Sequence, residues 1–198
     1  MKWFKETYLN TSNKLDILDV GSLDAKGNYN YSDIFDEKNW TYTGLDFQGG
    51  NNVDIVVTDI YNWFEVEDNT YDVVISGQLF EHLEFFWLTM SQIERVLKPG
   101  GYVCIIAPSA GPRHGGESMP NCYLFYEDGL RAMAKYVDLE VLHASVDERQ
   151  EANPWNDACL VAHKAGGPVS DENVEELENR IDNLESKLDS ILDALNKK

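Results

Sequence analysis

Leu15-Asp-Ile-Leu-Asp-Val-Gly21 sets four apolar residues among two acids and stops at a glycine. A short apolar run closed by a turn residue reads as a buried strand with a carboxylate near its tip. Four further runs follow in order: Tyr42-Thr-Gly-Leu-Asp46, Val53-Asp-Ile-Val-Val-Thr-Asp59, Tyr71-Asp-Val-Val-Ile-Ser-Gly77 and Leu97-Lys-Pro-Gly-Gly-Tyr-Val-Cys-Ile-Ile-Ala-Pro108. Strand tips gathered at the carboxyl edge of a parallel sheet form a crevice for a nucleoside-like ligand. Acids at two successive tips, Asp46 and Asp59, suit a ligand that offers donors, such as ribose hydroxyls and an adenine amino group.

Outward from these runs, residues 1–14 leave room for a short covering helix. The segment between Gly21 and Trp40 is polar, with a helical turn or two only at Tyr31–Glu37. Strands are predicted near 41–46, 53–57, 72–76 and 102–107, with a loop through 61–70. From Phe80 to Leu97 the apolar residues follow a helical period, and Lys98-Pro-Gly-Gly ends it. The Gly- and Pro-rich stretch after Pro108 is too long for an uncommitted connector. A helix at 127–137 and strands at 139–146 and 159–164 complete the pattern, the last two joined by a loop carrying Pro154 and Trp155. Strands alternating with helices predict a doubly wound, mostly parallel α/β sheet, and the closing strand–loop–strand predicts an antiparallel edge.

Ala165-Gly-Gly-Pro-Val-Ser-Asp171 reads as a linker. Beyond it, Val174, Leu177, Ile181, Leu184, Leu188, Ile191 and Leu195 repeat at alternating steps of 3 and 4, a heptad seam. A lone helix of this length is marginal in water, so the seam needs a partner. The expected organisation is a domain over 1–164, a linker over 165–171, and a C-terminal coiled-coil helix over 172–198 that assembles a homo-oligomer, dimer or trimer. Arg180 and Glu185 would form a complementary pair across a parallel seam.

The formal charge is −19, and residues 168–198 carry nine acids against four bases. No basic stripe exists to neutralise phosphates, which argues against nucleic acid as a partner. Cys104, Cys122 and Cys159 are odd in number and widely spaced, as expected of reduced thiols in a cytoplasmic protein. Neither a signal core nor a run of the ~18 apolar residues needed to span a bilayer is visible. The P-loop pattern is absent, and so is the dinucleotide fingerprint G-x-G-x-x-G after the first strand. That last absence weighs against an NAD-dependent oxidoreductase.

Taken in order, Asp19-Val-Gly-Ser, Gly44-Leu-Asp, Asp54-Ile-Val-Val-Thr-Asp, Phe80-Glu-His-Leu, Leu97-Lys-Pro-Gly-Gly, Ala107-Pro-Ser-Ala-Gly-Pro-Arg-His and Asn121-Cys-Tyr-Leu-Phe-Tyr-Glu-Asp-Gly resemble class I S-adenosylmethionine-dependent methyltransferases. The likeness covers roughly residues 13–164 and points to a branch associated with glycan and cell-envelope modification. It implies a seven-stranded-type, Rossmann-like sheet with S-adenosyl-L-methionine as cofactor. On that resemblance the turn of Asp19, Gly21 and Ser22 meets the methionine part and Asp46 accepts from the ribose, with Phe47 adjacent. Asp59 faces the adenine amino group with Ile60 beside the ring, and Ser76, Gly77 and Gln78 line the crevice near the sulfonium. The family turn continues with further glycines, whereas this chain reads Gly21-Ser-Leu-Asp-Ala-Lys-Gly27.

The acceptor implied is a saccharide or glycoconjugate, as in polysaccharide biosynthesis, methylated on a sugar oxygen. An alcohol is scarcely ionised at neutral pH, so a general base helps. His114, just past the fifth strand tip, is the first candidate, and His82 with Glu81 the second. His143 and His163 lie in strand-like segments and read as structural. Tyr123, Phe125, Tyr126 and Trp155 could form an aromatic wall for a sugar ring. No tight His/Asp spacing suggests a metal, and none is expected. The rival reading is a non-catalytic oligomeric scaffold built on a degenerate domain of this fold.

Overall fold

All seven predicted strands form. The computed structural model describes residues 1–24, 27, 30–116, 119–147 and 156–166, and these carry α1 (Lys2–Tyr8), β1 (Leu15–Val20), β2 (Trp40–Asp46), β3 (Ile55–Val56), β4 (Tyr71–Gly77), a 3₁₀ turn (Phe80–His82), α2 (Phe86–Val96), β5 (Leu97–Pro108), α3 (Glu127–Tyr136), β6 (Glu140–Val146) and β7 (Asp157–His163). They build one sheet in the order β3-β2-β1-β4-β5-β7-β6. The first five strands run parallel, while β7 is antiparallel to both β5 and β6. The predicted antiparallel edge is therefore present. Strand order reverses between β1 and β4, the place where such sheets open a ligand crevice.

Side chains alternate across a strand, so a strand buried on both faces feeds two cores. Leu18, Val74, Val103, Ile105 and Leu160 point to one face with Met90 and Ile93 of α2 and Leu130 and Met133 of α3. Ile17, Val73, Ile75, Cys104 and Val161 point to the other, where α1 contributes Phe4 and the first crossover contributes Phe35. No helix covers the β3-to-β4 crossover among the described residues. Its place is taken by the buried Trp63, whose indole donates to the Ile60 carbonyl. Arg95 of α2 donates to the carbonyls of Trp63 and Val66 and pairs with Asp68 at 2.6 Å, which holds this loop down.

The predicted helix over 80–97 needs correction. It begins as a single 3₁₀ turn, leaves the helical path at Leu83–Phe85, and becomes α2 only at Phe86. Tertiary hydrogen bonds replace the helical ones there. The Glu81 carbonyl accepts from the N–H groups of Cys122 and Tyr123, at 2.7 and 3.2 Å. The Glu84 N–H, in turn, donates to the Tyr61 hydroxyl. Periodicity could not show this, because the competing partners lie far away in sequence. β3 is also shorter than the predicted 53–57, pairing with β2 through two residues only. Lys98-Pro-Gly-Gly forms the irregular start of β5, and the Lys98 ammonium bridges Asp16 of β1 and Asp72 of β4 at 3.2 and 2.8 Å.

The chain divides into two compact units, Met1–Ala165 and Gly166–Lys198. The predicted coiled-coil helix over 172–198 lies outside the described residues, as does Trp155. Among the described residues no helix is long and apolar enough to cross a membrane.

Candidate active site

At the β1 tip the chain must turn sharply while leaving room beside it. Gly21 adopts φ +80°, and a Cβ there would lie 2.9 Å from the Leu79 side chain, so no other residue fits without strain. The N–H groups of Gly21 and Ser22 both donate to the Leu45 carbonyl, joining the tips of β1 and β2. This turn opens into a cavity of about 320 Å³ lined by Asp19, Gly21, Ser22, Asp46, Phe47, Gly77 and Gln78 from the predicted set. Tyr31, Leu79, His82 and Met119 also line it. A second cavity of about 180 Å³, with Ile60 in its wall, shares Phe47, Leu79, His82 and Met119 with the first.

Two predicted residues are placed otherwise. Ser76 is fully buried and donates its hydroxyl to the Val20 carbonyl at 2.8 Å, so it ties β4 to β1 instead of lining the crevice. Asp59 is exposed, and its carboxylate accepts from the Tyr61 N–H; only its neighbour Ile60 reaches a cavity wall. Tyr31 was legible only as part of a helical turn. Its hydroxyl lies where a side chain on residue 77 would have to stand, 2.1 Å from an ideal Cβ, which is why Gly77 is a glycine.

The crevice is acidic and partly unsatisfied. Asp19 is 2% exposed, and its carboxyl is pushed up to about 7, chiefly by burial. The Tyr42 hydroxyl that donates to Asp19 opposes the shift, and the nearby Asp46 charge adds to it. Asp46 accepts from the Leu23 and Gln48 N–H groups at 3.2 and 3.0 Å, one on each oxygen, so its carboxylate is fixed in direction. Ser22 Oγ is buried and has no hydrogen-bond partner among the described residues. A ligand with a cationic end and a diol answers all three: cation toward Asp19, diol toward Asp46, a polar atom toward Ser22.

Glu81, His82 and His114 converge at the edge of this crevice. His82 Nε2 lies 3.6 Å and His114 Nε2 4.0 Å from Glu81 Oε1, and the two imidazoles meet edge to face at 4.9 Å. The 3₁₀ turn supplies the first two residues, and the loop after β5 brings the third. That loop is anchored by the bonds to the Glu81 carbonyl, by the Phe125 N–H to the Pro108 carbonyl, and by the Tyr123 hydroxyl to the Glu84 carbonyl. Glu81 is fully buried, and neither carboxylate oxygen has a hydrogen-bond partner among the described residues. Its carboxyl is pushed up to about 7, mainly by desolvation. Burial likewise lowers His82. The sequence offered all three as candidates, and folding brings His114 to the adjacent pair Glu81–His82.

The aromatic wall takes a different form. Phe125 is buried and packs edge to face on Phe80 and Phe86, Tyr123 meets Phe86 at 84°, and Tyr126 points to solvent. His143 bonds the Ser145 hydroxyl and meets Trp3 at a tilted 57°, His163 lies 3.8 Å from Glu140, and neither lines the two cavities above.

A 3-2-1-4-5-7-6 sheet whose last strand in the sequence is antiparallel, opening an acidic nucleoside-sized crevice at the β1/β4 reversal, is the class I methyltransferase fold. The family model described as a methyltransferase domain matches residues 18–105. Similar solved structures include a Burkholderia thailandensis 1,6-didemethyltoxoflavin-N1-methyltransferase with bound 1,6-didemethyltoxoflavin and S-adenosylhomocysteine (15% identity, TM-score 0.59, covering 78% of this chain and 72% of that chain). An Aquifex aeolicus SAM-dependent methyltransferase is similar at 19% identity and TM-score 0.59, over 82% and 87% of the two chains. A Haemonchus contortus phosphoethanolamine N-methyltransferase 2 in complex with S-adenosyl-L-methionine is similar at 18% and 0.57, this chain spanning 51% of that one and the match covering 82% of this one. No curated protein sequence matches. The domain match spans 88 of the chain's 198 residues, and together with the shared fold it supports S-adenosyl-L-methionine as the cofactor.

Proposed function

We propose that the chain is a class I methyltransferase that transfers the methyl group of S-adenosylmethionine to an oxygen, most simply a sugar hydroxyl of a saccharide or glycoconjugate. S-Adenosylmethionine supplies an electrophilic methyl group on a sulfonium, so the protein's work is to align the acceptor and deal with its proton. Asp46 would hold the ribose, the Asp19–Ser22 turn the methionine part, and Phe47 and Ile60 the adenine region. The observation that carries the oxygen assignment is the Glu81–His82–His114 trio beside the crevice. A nitrogen acceptor, as the names of the Burkholderia and Haemonchus N-methyltransferases give, has a more nucleophilic lone pair, whereas a hydroxyl has to be made more nucleophilic.

His114 does not line the cofactor cavity. Its replacement by alanine is therefore expected to slow transfer to a sugar acceptor by about 100-fold or more, the usual scale for such a group, while calorimetry finds S-adenosylmethionine bound as before. Labelled methyl transfer to a panel of free and nucleotide-linked sugars is the measurement. Unchanged turnover in His114→Ala removes the trio from the chemistry, and a wild-type protein that binds no S-adenosylmethionine favours the scaffold reading.

The heptad seam over 172–198 supports assembly into a dimer or trimer, and three free cysteines fit the reducing cytoplasm. Sedimentation equilibrium should show an oligomer that becomes monomeric when residues 168–198 are removed. A monomer in both forms would refute self-association.

A further inference from the structure

The trio at the crevice edge brings its candidate ligand atoms together. His82 Nδ1 lies 2.8 Å from the Pro120 carbonyl, and His114 Nδ1 lies 3.4 Å from the Pro112 carbonyl. A carbonyl only accepts, so in neutral His82 the proton sits on Nδ1 and Nε2 carries the lone pair; the longer His114 contact is compatible with the same tautomer. Both Nε2 atoms point at Glu81 Oε1, and the ligating atoms of all three residues lie within 4.8 Å of one another. A fully buried carboxylate without a hydrogen-bond partner among the described residues, facing the lone pair of His82, is relieved by a positive centre between them, a proton or a metal ion.

We infer that Glu81, His82 and His114 hold a first-row divalent transition-metal ion, which presents open coordination positions to the acceptor. Two imidazoles and a carboxylate suit Mn²⁺ through Zn²⁺ better than Mg²⁺ or Ca²⁺, which favour all-oxygen sites. Ligands about 2.1 Å from such an ion stand about 3.0–3.4 Å apart, so the 3.6 and 4.0 Å separations from Glu81 close with shifts of tenths of an ångström, and a separation at the 4.8 Å limit of the trio closes with one of about 1.5 Å. A backbone carbonyl on the remote ring nitrogen is the usual device for orienting a ligating histidine, and both histidines face one. Three protein ligands leave further positions free, the mark of a reactive site rather than a structural one.

The placement gives those free positions a use. His82 borders the cofactor crevice, while His114 lines a separate outer cavity of about 510 Å³ with Arg113, Gly115, Pro120 and Asn121. An ion among the three residues lies between the two, where an acceptor entering from outside meets the crevice. Resting on the oxygen-acceptor reading above, the ion takes the acceptor's hydroxyl oxygen, lowers its pKa, and lets the O–H proton pass to water. Neither imidazole then has to carry that proton. The expectation of a metal-free protein came from sequence spacing alone, and the folded chain supplies what spacing lacked.

The test uses the tag-free, full-length protein after dialysis against a chelator. Titration with Co²⁺ should give visible d–d absorption saturating at one ion per chain, and Zn²⁺ should displace it. Glu81→Gln and His114→Ala should each weaken binding by at least about tenfold, with S-adenosylmethionine affinity by calorimetry confirming that both variants are folded. Absence of Co²⁺, Mn²⁺ and Zn²⁺ binding in a protein that still binds S-adenosylmethionine overturns the site, as does equal binding by wild type and both variants. If the ion binds as stated but no hydroxyl acceptor is methylated in its presence, the metal site stands and the oxygen reading falls.

Discussion

Asp46→Asn is expected to weaken S-adenosylmethionine binding by about 100-fold with the fold retained. Both oxygens of this buried carboxylate are oriented by backbone N–H groups, so it presents charge and lone pairs to the crevice in one fixed direction. Asparagine keeps the shape and one accepting oxygen but replaces the other with a donor, which opposes a ribose hydroxyl. Charge-assisted hydrogen bonds contribute about 1.5–3 kcal/mol each, and two weakened bonds account for two decades in affinity at about 1.4 kcal/mol per decade. Calorimetry on the wild type and variant, with urea unfolding to confirm the fold, decides it. An affinity within threefold of wild type would mean that the cofactor's diol lies elsewhere.

Asp19 has the second large effect, on stability. Its carboxyl is raised to about 7 in the folded chain, with burial as the main cause. Below about pH 4 the group is protonated in both states, and its contribution is fully favourable. Between pH 4 and 7 the unfolded chain releases the proton that the folded chain holds, so stability falls as pH rises, and above 7 the contribution is gone. At about 1.4 kcal/mol per pH unit the swing is on the order of 4 kcal/mol. Asp19→Asn has no such proton, so its stability relative to wild type should rise by several kcal/mol between pH 4.5 and 8. Comparing the two proteins cancels Glu81, which also titrates near 7. A difference independent of pH would mean that Asp19 is solvated in the ligand-free chain. A cationic ligand offsets the same penalty, which makes an acid that weakens the ligand-free fold useful to the loaded one.

Tyr42 and Tyr31 extend this pattern. Both phenols are raised above their ordinary range by burial, with Asp19 adding to the shift, so they remain neutral donors beside an acid that burial keeps near its titration point. Neither stood out in the sequence, since a tyrosine in a strand and a tyrosine in a polar crossover are ordinary residues.

The sheet was legible because a strand buried on both faces must be apolar almost throughout, and such runs as Val73-Val-Ile75 and Val103-Cys-Ile-Ile106 cannot be mistaken for surface. Gly21 and Asp46 were legible for a local reason as well: a sharp turn and an acid at a strand tip are written within a few residues. Asp59 shares that local signature and yet faces solvent, because β3 pairs over only two residues and its tip is not drawn into the crevice wall. Ser76 also looks like a tip residue, but it spends its hydroxyl on the neighbouring strand.

Sequence alone therefore determined what local periodicity and turn chemistry can encode: the strands, their order along the chain, the glycine turn and the oriented acid at the second tip. Tertiary structure decided the break in the helix after β4 and the meeting of Glu81, His82 and His114, because the hydrogen bonds that bend the chain at Glu81 come from Cys122 and Tyr123. Contacts between residues so far apart in sequence leave no periodic trace, and only the folded sheet, holding both strand tips at one edge, brings them within reach.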